Sequence, residues 1–253
     1  MNFFTIFCYG LIFGSFANVY FYRTPKQLSL WSPKSFCPTC GHPIPWCDNI
    51  PLLSFILLKG LCRFCKQKIS VVYPLIELSC GILFLLVSLK FQTEPNQIVI
   101  LYLIYSFILF LISGIDLITY FQNNKEYGII PNDLIIILAA GGLLFSLSQQ
   151  GGITQIWQNL LGGFYGLMLM TLVRWSGEKI FKKEALGLGD IKLMGAVGCW
   201  LGWQGTNLAL ILACASGTFF ILPFLILKKL ESNSTIPFGP FLSLGSFSAL
   251  FII

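Results

Sequence analysis

Residues 97–119 read QIVILYLIYSFILFLISGIDLIT. From Gln97 to Ile115 no side chain is charged, and then an aspartate appears, Asp116. About 17–25 consecutive apolar residues span the hydrocarbon core of a bilayer as one α-helix. Comparable stretches lie at roughly 3–21, 73–90, 133–149, 154–174, 188–204, 206–227 and 236–253. The expected fold is an all-α polytopic membrane protein with about eight transmembrane helices. Several spans are short or carry Gly or Pro, which is tolerated where neighbouring helices or a cavity satisfy the backbone.

Composition agrees. Of the 253 residues 56% are hydrophobic and 10% charged, against about 25% charged in a soluble domain. The net charge of +6 would by itself suit a nucleic-acid partner. The charges instead sit in short loops between apolar runs, as topology signals do, so the expected surroundings are membrane lipid and no nucleic acid. The first run has no basic residue before it and no small-residue cleavage pattern after it. It ends in Arg23 and Lys26 and reads as a true span, not a removable signal.

Placing the N-terminus outside makes the loops 22–72, 120–132, 175–187 and 228–235 cytoplasmic. Every basic residue except Lys90 then lies in or beside a cytoplasmic loop, as the positive-inside rule requires. The expected functional face is cytoplasmic.

The loop 22–72 is the one large polar segment. It holds Cys37-Pro-Thr-Cys40 and Cys62-Arg-Phe-Cys65. Two such pairs fit a closed four-thiolate zinc site, which would stabilise a loop too small for its own core. Two disulfides or redox cysteines are the alternative; a cytoplasmic location, where thiols stay reduced, favours zinc. Cys47 and His42 lie between the pairs as substitute ligands or plain loop residues. Cys8, Cys80, Cys199 and Cys214 sit in apolar spans as small packing residues.

Two acidic residues stand out from the loops. Asp116 is near the cytoplasmic end of the third span. Asp190 is in Gly187-Leu188-Gly189-Asp190-Ile191-Lys192, at the cytoplasmic start of the sixth. The orientation puts both at one depth on one side. Ionisable groups there are costly and point to function. A shielded carboxylate pair can split acid and base roles between its members, as in aspartic proteases. Gly187 and Gly189 would admit an extended substrate backbone. The alternatives are that Asp116 is an interfacial helix-end residue, that Asp190 pairs with Lys192 or caps a helix, or that both serve an ion pathway. Asp133, after Ile130-Pro131-Asn132, suits a helix N-terminus first and a substrate site second.

These motifs resemble the bacterial prepilin peptidases, or type IV leader peptidases, which are GxGD-type intramembrane aspartic proteases. The resemblance runs through Gly14-Ser15-Phe16-Ala17-Asn18-Val19 with Arg23 and Pro25, the two cysteine pairs, Asn49-Ile50-Pro51-Leu52-Leu53-Ser54, and Tyr73-Pro74-Leu75-Ile76-Glu77-Leu78. It continues through Gly187–Lys192 and ends at Ile236-Pro-Phe-Gly-Pro240. It implies a place in the bacterial inner membrane, an N-terminal module, 1–90, and a six-span peptidase domain, 91–253. It implies that Asp116 and Asp190 are the catalytic pair, with Gly187, Gly189, Lys192 and Asp133 near the substrate. The substrates would be prepilins or pseudopilins, whose short basic leader is cut off after a glycine. Many members of the family then N-methylate the new N-terminus with S-adenosylmethionine, an activity associated with the N-terminal module. Asn18, Glu77 and Gly81 are candidates for the methyl-donor site, with ordinary packing the alternative. One departure from the family pattern is the polar stretch Thr119 to Gly128 between Asp116 and Asp133, which is expected to be a surface insertion.

Two other function classes fit some of these residues. One is a transporter with an aspartate relay, against which stand the off-midplane sites and the lack of an inverted repeat. The other is a non-catalytic scaffold that docks a partner through the cysteine loop.

Overall fold

The computed structural model describes residues 2–32, 34–123, 127–148, 152–182, 186–226 and 236–253. Lys125, Lys183, Lys228 and Lys229, which contribute to the charge asymmetry, lie outside the described residues. So do residues 124–126 of the expected insertion.

The described residues are helical apart from turns and two isolated bridges. The helices are α1 (Phe3–Arg23), α2 (Leu53–Leu57), α3 (Val72–Lys90), α4 (Asn96–Gln122), α5 (Asn132–Ser148), α6 (Gly152–Phe181), α7 (Leu188–Ile226) and α8 (Gly239–Ile252). Five of them, α1, α3, α4, α6 and α7, are long and apolar enough to cross a membrane. The apolar helices α5 and α8 are shorter, at 17 and 14 residues. The protein is an all-α, multi-pass membrane protein, and each expected span falls on α1, α3, α4, α5, α6, α8 or one half of α7.

The structure departs from the expected spans and flanks in several places. The break in α7 lies at Gly202, with φ 63° and ψ −174°, not at residue 205. That conformation is essentially confined to glycine. The Thr206 hydroxyl donates to the Gly202 carbonyl at 2.7 Å as the second half begins. Residues 175–181, expected in a loop, continue α6. Arg174 and Glu178 pair there at 2.7 Å, and Lys179 lies 3.7 Å over the Trp175 ring. Arg23, read from the sequence as a charge that ends the first span, is buried at 4% exposure. Its guanidinium donates to the carbonyls of Ser29 at 2.8 Å and Leu30 at 3.2 Å. A charge at a helix end can cap loop carbonyls as well as mark a membrane border.

The chain forms two compact units, Met1–Phe107 and Ile108–Ile253. In the first, α1 and α3 approach through small residues. A Cβ on Gly10 would overlap the backbone of Gly81, and one on Gly14 the backbone of Glu77. In the second, Gly162, Gly163 and Gly166 of α6 face Gly195, Gly198 and Gly202 of α7 just as closely. Small residues replace the missing hydrophobic drive between helices in lipid by bringing backbones into contact. The helix α5 joins α7 through Trp200, whose indole N–H donates to the Leu138 carbonyl at 2.6 Å.

Candidate active site and four-cysteine centre

Asp116 lies six residues before the end of α4, about 9 Å along the axis at 1.5 Å per residue. Asp190 is in the first turn of α7. Both are buried, at 4% and 8% exposure. They lie in one unit, within electrostatic range of one another. The Gly187 N–H donates to the Asp190 carboxylate, and the Gly239 N–H to that of Asp116. The GxGD loop and the start of α8 thus each supply one backbone donor.

Glycines surround the pair. A Cβ added to Gly128 would overlap Asp116 Oδ1, and one on Gly239 would press on Asp116 Oδ2. At Gly189 it would meet the Ile130 side chain at 3.1 Å, and at Gly187 it would stand 3.2 Å from Asp190 Oδ2. Ile130 also lies against Gly239. The backbone at 128, 187 and 239 therefore comes directly up to the two carboxylates. The sequence offered Gly187 and Gly189 for this role but not Gly128, Gly239 or Ile130. The one available signal was Gly239 in the last-span motif, with Pro240 in the first turn of α8.

The expected surface insertion, Thr119 to Gly128, is corrected at its two ends; Phe121 and Tyr127 are exposed, as a surface stretch requires. Thr119 is helical and buried. Its hydroxyl donates to the Ile115 carbonyl at 2.7 Å and accepts from the Ile129 N–H at 2.8 Å. Asn123 Nδ2 donates to the Tyr127 carbonyl at 3.2 Å. The stretch begins inside α4 and returns onto it, laying Gly128 over Asp116.

Lys192 is exposed and donates to Asn132 Oδ1 at 2.9 Å. It ties the start of α5 to α7, and no ion pair between Lys192 and Asp190 occurs among the described residues. Asp133 is exposed in the first turn of α5, where a carboxylate favours the helix N-terminus.

In the first unit, each cysteine pair sits in a tight knuckle. The Cys37 N–H donates to the His42 carbonyl at 2.9 Å and the Gly41 N–H to the Cys37 carbonyl at 2.9 Å. The second knuckle repeats this, with Cys62 to Gln67 at 2.9 Å and Lys66 to Cys62 at 3.1 Å. Gly41 and Lys66 occupy the same left-handed position, with φ 71° and 57°. The four Sγ atoms lie within 4.8 Å of one another. Cys37 and Cys65 are 3.9 Å apart, close to the ~3.8 Å edge of a tetrahedron with metal–sulfur bonds near 2.3 Å. Burial works against the Cys37 thiolate, but the N–H groups of Cys40 and Thr39, then the neighbouring thiols, outweigh it and bring its pKa down to about 6. For Cys40 the His42 N–H acts in the opposite sense to burial and the three neighbouring sulfurs, which push it up to about 11. Such a cluster can hold a metal ion. His42 stacks on Phe64 at 4.8 Å and Cys47 is exposed, so neither joins it.

Beside the cluster Arg63 clamps Asp48 with two hydrogen bonds, Nε to Oδ2 at 2.6 Å and Nη2 to Oδ1 at 2.5 Å. The pairing with Arg63 holds the Asp48 carboxyl below its ordinary pKa. A cavity of about 220 Å³ opens here, with Asn18 and Glu77 in its wall. Asn18 Nδ2 donates to the Tyr73 carbonyl at 3.0 Å, and Glu77 Oε2 accepts from the Leu52 N–H at 2.8 Å. Gly81 does not line this cavity. A Cβ there would overlap Phe7 and Leu11, which places Gly81 in the packing of α1 against α3.

Two family models match the chain. Residues 8–91 match the bacterial peptidase A24 N-terminal domain, and residues 103–222 the type IV leader peptidase family. A prepilin leader peptidase/N-methyltransferase of Aeromonas salmonicida is 32% identical, covering 97% of this chain and 89% of that protein. One of Klebsiella pneumoniae is 39% identical over 82% of this chain and 89% of its own length. A type 4 prepilin-like proteins leader peptide-processing enzyme of Escherichia coli is 34% identical over 96% and 91%. No solved structure matches the chain. With both halves matched in order and relatives above 30% identity covered almost end to end, the chain belongs to the type IV leader peptidase family.

Proposed function

We infer that this protein is a prepilin peptidase that removes the leader from type IV prepilins or pseudopilins and N-methylates the new N-terminus. The family membership carries the reaction class, and the buried pair Asp116 and Asp190 is the single structural observation that carries the mechanism. One carboxylate takes a proton from the attacking water. Its protonated partner hydrogen-bonds the scissile carbonyl and stabilises the charge that develops there. The bare backbone at Gly128 and Gly239 packs directly against Asp116 and supports its carboxylate in place for that role.

In the proposed orientation the loop 22–72 and the aspartates face the cytoplasm. A pilin's apolar segment then lies among the spans while its basic leader stays in water. The four cysteines hold zinc as a structural ion, since a closed thiolate shell leaves no site for substrate. S-adenosylmethionine supplies the methyl group. An ion relay or a passive scaffold gains no support from the family membership.

The test is leader removal by purified Asp116→Asn and Asp190→Asn proteins, read as mass loss of a prepilin. Each is expected to abolish cleavage with normal membrane insertion, while Asp133→Asn retains substantial activity. Full cleavage by either of the first two variants overturns the assignment.

A further inference from the structure

The short helix α2 carries apolar side chains on both faces. Phe55, and Leu58 just after the helix, turn inward and line the cavity of the first unit. Leu53 is exposed on the other side, with Ile56 and Leu57 at 68% and 71% exposure. A helix that is apolar all round belongs in a protein core or in lipid. The turn before α2 forms one piece with it. The Ile50 N–H donates to Ser54 Oγ at 3.1 Å, and the Ser54 hydroxyl donates to the Cys47 carbonyl at 3.1 Å. That turn carries Trp46, 84% exposed.

Hydrogen bonds set the depth of this piece. Asn18 of α1 donates to the Tyr73 carbonyl at 3.0 Å. Asn18 lies five residues before the end of α1, so α3 begins about 7.5 Å short of that end. Glu77, four residues further into α3, packs against Gly14 of α1. Its carboxylate accepts the Leu52 N–H at 2.8 Å, which ties the start of α2 to the second turn of α3. The helix α2 is itself only about 7.5 Å long. It therefore stays near the level of the last turns of α1, where a span meets the headgroups. Both α1 and α3 are long and apolar enough to cross a membrane. Val72 and Leu75 in the first turn of α3 are exposed and apolar as well.

Charge adds a second observation. Asp48 is the one acidic residue in 22–72, and Arg63 holds it with two hydrogen bonds. Lys26, Lys34, Lys59, Lys66 and Lys68 are exposed, and none has an ion pair among the described residues. Lys59 follows α2 directly, and Lys66 and Lys68 belong to the second cysteine knuckle. Exposed apolar side chains next to unpaired lysines suit the interface of a membrane that carries anionic lipid.

We propose that α2 and its preceding turn are a membrane-surface anchor, in which Leu53, Ile56 and Leu57 enter the boundary between headgroups and acyl chains while Lys59, Lys66 and Lys68 bind anionic headgroups. The anchor holds the four-cysteine loop against the leaflet. It rests on α1 and α3 crossing the membrane and not on the peptidase reading, so its failure leaves that reading standing.

The experiment places the photocrosslinking residue p-benzoylphenylalanine at position 56, 57 or 55 of the full-length protein. Each variant is put in nanodiscs of phosphatidylcholine and phosphatidylglycerol, with and without a prepilin, and irradiated. Adducts are identified by mass spectrometry, with metal and helix content measured on the same samples. Two outward positions are used so that the result stands should one variant fail to fold. Positions 56 and 57 are expected to give about tenfold more lipid adduct than the inward position 55, since an interfacial helix buries one face. Phosphatidylglycerol is expected to exceed its share of the membrane about threefold among the adducts, through the lysines. Combining Lys59→Gln, Lys66→Gln and Lys68→Gln is expected to remove that excess. Prepilin adducts in place of lipid adducts overturn the proposal and assign the patch to the substrate. No adduct with either partner overturns it by showing a patch open to water. Equal lipid adducts at 55 and 56 overturn it by showing no outward face. Phosphatidylglycerol at no more than its share overturns the role of the lysines.

Discussion

The backbone N–H of Gly239 donates to the carboxylate of Asp116, so the start of α8 holds an aspartate that α4 carries. No side chain fits between them, because a Cβ at 239 would press on Asp116 Oδ2. The short helix α8 therefore sets the position of one half of the proposed catalytic pair.

Gly239→Ala should slow leader removal by about 10²-fold, since small misplacements of a catalytic group have effects of that size. The loss should fall on kcat more than on KM. Gly187→Ala, whose Cβ would stand 3.2 Å from Asp190 Oδ2, should lose less. Steady-state cleavage of a prepilin checks both, with helix content followed by circular dichroism.

Thr119→Val should loosen the segment that lies over Asp116. The Ile129 N–H would lose its acceptor at 2.8 Å, at a cost of about 0.5–1.5 kcal/mol for a part-buried hydrogen bond. Thr119→Ser should keep the bond. Limited proteolysis between α4 and α5, with thermal unfolding in detergent, distinguishes the two variants. Equal protease resistance of the valine and serine forms would return the stretch to the status of a surface insertion.

Cys37→Ser or Cys62→Ser should release the proposed zinc and loosen the loop 22–72, because a structural metal stabilises by organising its ligands. The aspartates lie in the other unit, so methyl transfer should fall more than cleavage. Metal content, leader removal and methylation on the same preparations check this. Equal loss of both activities in a folded protein would show that the loop serves the peptidase directly.

Single cysteines in the loops 22–72 and 120–132 of a cysteine-depleted variant should stay unlabelled when intact cells meet an impermeant thiol reagent. Labelling should appear once the membrane is opened. Reaction of either loop from outside would reverse the proposed orientation and take the aspartates away from the leader.

Local patterns were legible in the chain itself. The apolar run 97–119 is a helix because every backbone polar group in lipid must be satisfied within its own segment. The knuckles at Cys37 and Cys62 form from a few consecutive residues, and their spacing already indicated four sulfurs around one point. Asp116 and Asp190 stood out because a charge inside an apolar run has no local reason to be there. Packing between segments decided the rest. Gly128 and Gly239 touch Asp116 only once the chain has packed; the last-span motif marks Gly239, and nothing at 128 announces the contact. Arg23 looks like a border charge and turns inward to the Ser29 and Leu30 carbonyls. Lys192 neighbours Asp190 in sequence yet bonds to Asn132, because α7 turns that side chain toward the start of α5. Hydropathy and spacing are carried by neighbouring residues and survive in a linear reading; the partner of a buried polar group depends on which helices meet, and that exists only once the chain has packed.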